Sequence, residues 1–145
     1  MKMMSNKYVE LKKRHQSEIN NFPIGFAFNK QQLAEGLVKL GLEPTDTDKV
    51  YSIGGGGFIR KTDSDALFEM FTRHKDEFKA AVEADKDGTG FVYQMFRNEL
   101  ANHEYAYTYE LDDTLDAVGF SYEEVQGNPA LKNGLELALK AYEGD

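Results

Sequence analysis

Apolar and polar positions follow each other along the chain in a pattern that predicts helices around one short β-hairpin. Apolar residues recur every three or four positions in several stretches, which is the spacing of an amphipathic helix. These stretches cover residues 6–19, 30–40, 65–84 and 91–103, and a last one follows the helix-start signal Asn128-Pro129. Two shorter helices are predicted over residues 113–118 and from the capping-box pattern Ser121-Tyr122-Glu123-Glu124.

Local signals predict where the helices begin and end, and which sides they bury. Asn29 is expected to cap the helix over residues 30–40, and Gly41 is expected to end it. Gly119 is expected to end the helix over residues 113–118. The predicted apolar stripe of the longest helix comprises Leu67, Phe68, Phe71, Phe78, Ala81 and Val82. The following helix is expected to bury Val92, Met95, Phe96 and Leu100.

The stretch from Lys49 to Asp65 predicts a strand, a tight turn, a second strand and the start of the longest helix. Gly54 to Gly57 separate the apolar run at residues 50–53 from Phe58 and Ile59. The aromatic segment at residues 24–28 is predicted as a further strand or a buried linker. Together these patterns predict an α+β fold, a mostly helical single domain over residues 1–145 with a small antiparallel sheet built on a glycine-turn hairpin.

Composition narrows the class of protein. A chain of 145 residues has the length of one domain with a core of its own. It contains no cysteine, which excludes disulfides, thiolate metal sites and cysteine nucleophiles, and is typical of a reducing compartment. No stretch approaches the run of about 18 apolar residues that a membrane span needs. We therefore expect a soluble, cytoplasmic protein without a membrane partner.

Charge is unevenly distributed along the chain. The net charge is −8, and residues 98–145 alone contain two Lys/Arg against eleven Asp/Glu, which gives −9. Such a field repels the phosphates of nucleic acid, so nucleic acid is not expected as a partner. The same acidity supports the opposite hypothesis, an acidic DNA-mimic type inhibitor of a nucleic-acid-binding protein.

Four phrases of the sequence carry a resemblance to a known group of proteins. They are NFPIGFAFNKQQLAEGLVKLGL, KVYSIGGGGFIRKTDSDALFEMF, FRNELANHEYAYT and DTLDAVGF. Over nearly the whole chain, it resembles a family of small uncharacterised proteins of bacteria and their phages or other mobile elements. The resemblance implies phage or mobile-element biology, and it implies no activity, cofactor or site residue.

The glycine run is a first candidate ligand site. Residues 55–62 read G-x-x-x-x-R-K-T, one residue away from the phosphate-binding P-loop pattern, and they lie between a strand and a helix. Arg60 stands where that pattern needs its second glycine, so a hairpin turn with positive φ is favoured. A small-ligand or phosphate site here, in a binder or an enzyme, uses Gly54, Gly55, Gly56, Gly57, Arg60 and Lys61.

A second candidate is a weak calcium site in the polar stretch between two helices. Asp85, Asp87 and Thr89 match ligand positions 1, 3 and 5 of a degenerate EF-hand-like loop. Position 12 is Phe96, so the carboxylate that completes the calcium shell is missing. The alternative is a polar turn without a metal.

The histidines and the other polar residues form no recognised catalytic pattern. His15, His74 and His103 do not belong to an H-E-x-x-H motif and are expected at core or boundary positions. A G-x-S-x-G nucleophile elbow is also missing from the sequence. Neither a catalytic residue nor a cofactor is predicted.

These observations favour a non-enzymatic accessory or regulatory protein that acts by protein–protein interaction. Eight tyrosines are available for contacts, and Tyr105, Tyr107 and Tyr109 form the candidate interaction surface. Closely spaced tyrosines on an edge strand or loop make large contacts at low entropic cost. Inward packing of the three side chains is the alternative.

Overall fold

A computed structural model describes residues 6–103 and 111–143 of the chain, and these residues form two compact units. The first unit comprises the described residues of Met1–Arg14 and Asp76–Asp145, and we call it the helical unit. The second comprises His15–Lys75, and we call it the sheet unit. The predicted mostly helical α+β fold with a small antiparallel sheet is confirmed.

Each helix predicted from the sequence pattern is present, within one or two residues of its expected ends. In chain order the elements are α1 (Lys7–Asn20), β1 (Gly25–Phe26), α2 (Lys30–Lys39), β2 (Val50–Gly54), β3 (Gly57–Arg60), α3 (Ser64–Ala84), α4 (Phe91–Asn102), α5 (Asp112–Val118), α6 (Tyr122–Gln126) and α7 (Pro129–Glu143). Short 3-10 turns at Thr47–Lys49 and Lys61–Asp63 precede β2 and α3. Among the described helices, none is long and apolar enough to cross a membrane.

The predicted helix caps are confirmed. The Asn29 side chain accepts a hydrogen bond from the backbone N–H of Gln32 at 2.8 Å, so it satisfies a free donor at the start of α2. Ser121 and Glu124 form a reciprocal capping box at α6. Gly41 and Gly119 follow α2 and α5 with φ of 82° and 80°, a conformation that glycine adopts without a β-carbon penalty.

The core of the helical unit is built around α4. The four side chains predicted to be buried, Val92, Met95, Phe96 and Leu100, have no solvent exposure. They pack in one cluster with apolar residues of α5 and α7 and with Tyr8 of α1. Ring contacts extend this cluster, since Phe91 lies edge-on to both Tyr8 and Phe78.

The sheet unit holds three antiparallel strands in the order β1-β3-β2. The central strand β3 is covered on both faces because its side chains alternate. Phe58 packs on Leu37 and Leu40, the latter at the C-terminal end of α2. Ile59 faces the opposite way and packs on Leu67 and Met70 of α3.

The predicted stripe of α3 is wrong at Phe68 and Phe71. The two side chains are 73% and 45% exposed. Leu67 and Met70 are the residues that cover Ile59, and each residue of a helix is turned about 100° from the one before it. Phe68 therefore points away from the sheet although it adjoins a core residue in the sequence.

Candidate functional site

The glycine run forms the tight hairpin turn that the sequence predicts. Gly54 pairs with Gly57, so Gly55 and Gly56 are the two central turn residues, with φ of 59° and 79°. Positive φ at both central residues matches the twist of the flanking strands and favours glycine. The register shifts between Ser52 and Gly54, where β2 has a bulge.

The two cations after the hairpin are engaged within the sheet unit. Arg60 donates to the Leu40 carbonyl at 3.1 Å and to the Asp63 carboxylate at 2.6 Å. It therefore satisfies a carbonyl at the C-terminal end of α2, which has no partner within its own helix. The Lys61 ammonium lies 5.0 Å from the centre of the Tyr51 ring. The contacts of both side chains are structural, and a phosphate site at Gly54–Gly57 stays a prediction.

A groove of about 360 Å³ lies beside the hairpin, between the start of α2 and one face of the sheet. Its apolar lining includes Leu33, Val50 and Phe58, and its polar lining includes Asn29, Thr47 and Ser52. Gly56 and Gly57 also contribute to the wall. This volume lies at the lower end of the range of about 300–1,000 Å³ that ligand pockets occupy.

Exposed apolar side chains lie on one face of the sheet. Tyr51 lies opposite Ile59, and Phe26 lies opposite Gly57, so all of these positions share one face. A β-carbon placed at Gly57 would lie 3.0 Å from Ile53, which puts Ile53 on the same face. We call Phe26, Tyr51 and Ile53 the apolar sheet face; all three side chains are exposed.

The stretch that matches part of a calcium loop makes helix-capping and turn contacts within the fold. The Asp85 carboxylate accepts from the backbone N–H groups of Gly90 and Val92 at 3.1 and 2.9 Å, and so caps the start of α4. Asp87 accepts from the backbone and the hydroxyl of Thr89. Phe96 is buried in the core, so position 12 offers no ligand. Weak calcium binding by Asp85, Asp87 and Thr89 stays a prediction.

The carboxylate of Asp87 is kept in its charged form by the turn itself. Hydrogen bonds from the Thr89 side chain and then from its backbone lower the pKa of Asp87 below the usual range. Gly88 has φ of 78° and lies so close to α7 that a β-carbon there would be 1.9 Å from the Ala130 carbonyl oxygen. This glycine allows the turn to pack on α7, where Asn133 donates to the Asp87 carbonyl at 2.8 Å.

A cluster that the sequence analysis missed joins α1 and α3 within the sheet unit. His15, Glu18 and His74 place donor atoms within 4.8 Å of one another. His74 Nε2 lies 2.6 Å from a Glu18 carboxylate oxygen, and the imidazole rings of His15 and His74 are stacked at 3.8 Å. The only advance signal was the three-residue spacing of His15 and Glu18 on one helix, since His74 is far away in the sequence.

Glu18 is the charged centre of this cluster. Two guanidinium nitrogens of Arg73 donate hydrogen bonds to the two oxygens of its carboxylate, at 2.7 and 3.3 Å. The hydrogen bond from Arg73, followed by the one from His74, lowers the pKa of Glu18. His74 is 9% exposed at its side chain, whereas Glu18 and His15 are partly open to solvent. The donor set, two imidazoles and a carboxylate, is one that transition metals use.

The helical unit also contains a carboxylate that pairs two helices, and this one is buried. Glu99 of α4 is almost completely buried and is paired with Lys12 of α1 at 3.2 Å. Asn102 donates to the same carboxylate at 2.8 Å. Burial, together with the neighbouring Glu99 carboxylate, raises the pKa of Tyr8. These contacts tie α1 to α4 and are explained by packing.

The tyrosine triplet lies outside the described residues. Tyr105, Tyr107 and Tyr109 belong to residues 104–110, for which neither exposure nor contacts are described. Their role as an interaction surface therefore stays a prediction.

Comparison with known families gives one match. A family described as a family of unknown function, DUF7659, matches residues 7–141, nearly the whole chain. The resemblance to uncharacterised proteins is confirmed to that extent. Comparison with curated proteins and with solved structures found no significant match.

Proposed function

Because the chain belongs to DUF7659, a family of unknown function, we propose its role from its own geometry: it is a non-enzymatic accessory protein that binds an extended segment of another protein along strand β2. One observation carries the proposal. Strand β2 is at the edge of the sheet, and its exposed side chains include two large apolar ones, Tyr51 and Ile53.

The backbone of β2 supplies the first part of the argument. In the order β1-β3-β2, only one side of β2 is paired within the sheet of the described residues. The N–H and C=O groups on an outer edge are a template for another strand. Addition of a peptide strand to such an edge is a common mode of protein recognition.

The side chains on the two faces supply the second part. Tyr51 and Ile53 are 49% and 42% exposed, and they belong to the apolar sheet face. Ser52 points to the opposite face, where it lines the groove of about 360 Å³. Successive side chains of an added strand alternate between faces, so one set covers Tyr51 and Ile53 and the other reaches the groove.

Charge defines the partner more closely. The sheet unit has seven Lys/Arg and eight Asp/Glu, a net charge of −1, so it repels neither acidic nor basic segments strongly. Lys61 lies over the Tyr51 ring and makes no ion pair with a carboxylate among the residues described. The proposed partner segment is therefore extended, has alternating apolar side chains, and has one carboxylate positioned to meet Lys61.

A library of random peptides displayed on phage tests the proposal. The purified full chain is the bait, and enriched peptides are synthesised for titration. Ile53→Lys adds a charge at the edge and is expected to weaken peptide binding at least about tenfold. Val38→Lys is the matched control, because Val38 is an exposed apolar residue of α2 in the same unit. It is expected to leave the affinity within about twofold.

Three outcomes contradict the proposal. The first is a library that yields no specific peptide, and the second is equal affinity of the enriched peptides for Ile53→Lys and the unmodified chain. The third is a dimer in light scattering that Ile53→Lys converts to a monomer, since the edge would then be occupied by a second copy of this chain.

The biological setting belongs to the same proposal. We place the protein in the cytoplasm of a bacterium or in the biology of its mobile elements. The support is the resemblance of four sequence phrases and the absence of cysteine from the chain.

A further inference from the structure

We propose that His15, Glu18 and His74 form a binding site for a divalent transition-metal ion, with Zn²⁺ as the reference ion. The site lies between α1 and α3 within the sheet unit and is independent of strand β2. Its donors are two imidazole nitrogens and one carboxylate oxygen, a set that suits Zn²⁺ and related ions.

The donor atoms are already close to the spacing that an ion requires. Zn–N and Zn–O bonds of about 2.0–2.2 Å place tetrahedral donor atoms about 3.3–3.6 Å apart. The three donors lie within 4.8 Å of one another, and the shortest separation is 2.6 Å, between His74 Nε2 and Glu18. Movement of the side chains, chiefly of the His15 ring, brings all three donors to bonding distance, and solvent completes the coordination.

Two helices hold these donors in place. His15 and Glu18 are three residues apart on α1, so their side chains project from one face of that helix. His74 comes from α3 and is nearly buried, which restricts its ring. Donors on helices are held more accurately than donors on loops. The partial exposure of His15 and Glu18 leaves an entry route for the ion.

Binding requires one proton and one ring to move. A carboxylate only accepts hydrogen bonds, so His74 Nε2 carries the proton in its contact with Glu18. The ion replaces that proton, which moves to Nδ1 or to solvent. The stacked imidazoles are within 10° of parallel, and lone pairs in parallel planes do not meet at one point. The more exposed ring, that of His15, must therefore turn toward Glu18.

Arg73 provides a way to distinguish a metal site from a purely structural cluster. Its guanidinium occupies the Glu18 carboxylate and places a positive charge beside the site, so it competes with a cation. Removing Arg73 is expected to strengthen metal binding. A purely structural His–Glu–Arg cluster predicts no such gain, because loss of Arg73 would only loosen the position of Glu18.

The test is titration of the metal-free full chain with Zn²⁺ alone, followed calorimetrically, and with Co²⁺, whose visible absorption reports nitrogen and oxygen ligands. One ion per chain is expected to bind. His15→Ala and His74→Ala are each expected to weaken binding at least about tenfold, and Arg73→Ala is expected to strengthen it about tenfold. His103→Ala, which removes the third histidine of the chain, is the matched control and is expected to change the affinity less than about twofold.

Circular dichroism of each variant separates loss of the site from loss of the fold. His15→Ala tests the site even if His74→Ala does not fold, because His15 is the less buried ring. Three results overturn the proposal: no heat and no Co²⁺ absorption at millimolar metal, an equal loss of affinity in His103→Ala and His15→Ala, or weaker binding in Arg73→Ala. In the first two cases the cluster is an ion-pair network of the fold alone, and in the third Arg73 supports the site instead of competing with the ion.

Discussion

The two units distribute their large apolar side chains in opposite ways. In the helical unit five apolar side chains of α4 are buried: Phe91, Val92, Met95, Phe96 and Leu100. The large exposed hydrophobic residues among those described in this unit are Tyr122 and Leu137. The smaller sheet unit exposes seven: Phe26, Phe28, Val38, Tyr51, Ile53, Phe68 and Phe71. Three of them, Phe26, Tyr51 and Ile53, share one face of the sheet, and a contiguous exposed apolar patch often marks a contact site.

The net charge also differs between the two units. The helical unit has ten Lys/Arg and seventeen Asp/Glu, a net charge of −7, whereas the sheet unit has −1. Several of these acids stabilise helices, since Asp112 and Asp113 lie in the first turn of α5 and Glu123 and Glu124 in that of α6. Most of the net negative charge therefore lies in the helical unit, whereas the strand proposed to bind a partner belongs to the nearly neutral sheet unit.

The largest test of this comparison is truncation of a phenylalanine in each unit. Phe96→Ala removes a completely buried ring of the helical unit and is expected to lower the free energy of unfolding by about 3–5 kcal/mol. Phe68→Ala removes an exposed ring of the sheet unit and is expected to change it by less than about 0.5 kcal/mol. Urea unfolding measures both, and a loss at Phe68 similar to that at Phe96 would contradict the assignment.

The next effect concerns the turn that carries the calcium-like sequence. Gly88→Ala forces a β-carbon against the Ala130 carbonyl and is expected to cost about 3 kcal/mol. Gly119→Ala is the matched control, because Gly119 also has positive φ but faces open space. It is expected to cost only about 1 kcal/mol. Similar unfolding energies for the two variants would mean that contact with α7 contributes little.

In the sheet unit the corresponding comparison is between the two central turn glycines. A β-carbon at Gly56 would lie 2.6 Å from the Phe28 ring, whereas one at Gly55 would meet nothing within 4 Å. Both glycines have positive φ, so Gly55→Ala is expected to cost about 1 kcal/mol. Gly56→Ala adds the contact with Phe28 and is expected to cost about 2 kcal/mol. The melting temperatures of the two variants measure which loses more stability. An unchanged melting temperature in both would contradict the strained-turn interpretation.

Local signals predicted most of the fold because they depend on near neighbours. The cap of Asn29, the end at Gly41 and the turn at Gly55 are each determined within a few residues. The apolar period also located the helices, but it misplaced Phe68 and Phe71, because a run of apolar residues does not say which of them faces the sheet.

The candidate sites were harder to predict because they depend on contacts distant in sequence. Glu18 and His74 lie on two different helices and are 56 residues apart in the chain. At Asp85, residues that match a calcium loop also make structural contacts, since Asp85 caps α4 and Gly88 packs closely on α7. Sequence spacing identified the residue types, and only the fold separates a ligand from a cap.

The smallest predicted effect is a pH dependence in the helical unit. Burial and the adjacent Glu99 raise the pKa of Tyr8 above the value of about 10 that tyrosine has in an unfolded chain. The unfolded chain therefore ionises first, so the stability contributed by neutral Tyr8 is complete below about pH 10 and is lost as the pH rises further.

Tyr8→Phe tests this dependence because it removes the ionisable hydroxyl and keeps the ring contact with Phe91. At neutral pH the variant is expected to lose about 1 kcal/mol with the hydrogen bond to Glu99. In alkaline buffer its stability should fall less steeply than that of the unmodified chain. Tyr122→Phe, at an exposed position of the same unit, is expected to leave the alkaline slope unchanged. Urea unfolding across the alkaline range measures both slopes, and identical slopes for Tyr8→Phe and the unmodified chain would mean that the folded state does not hold Tyr8 neutral.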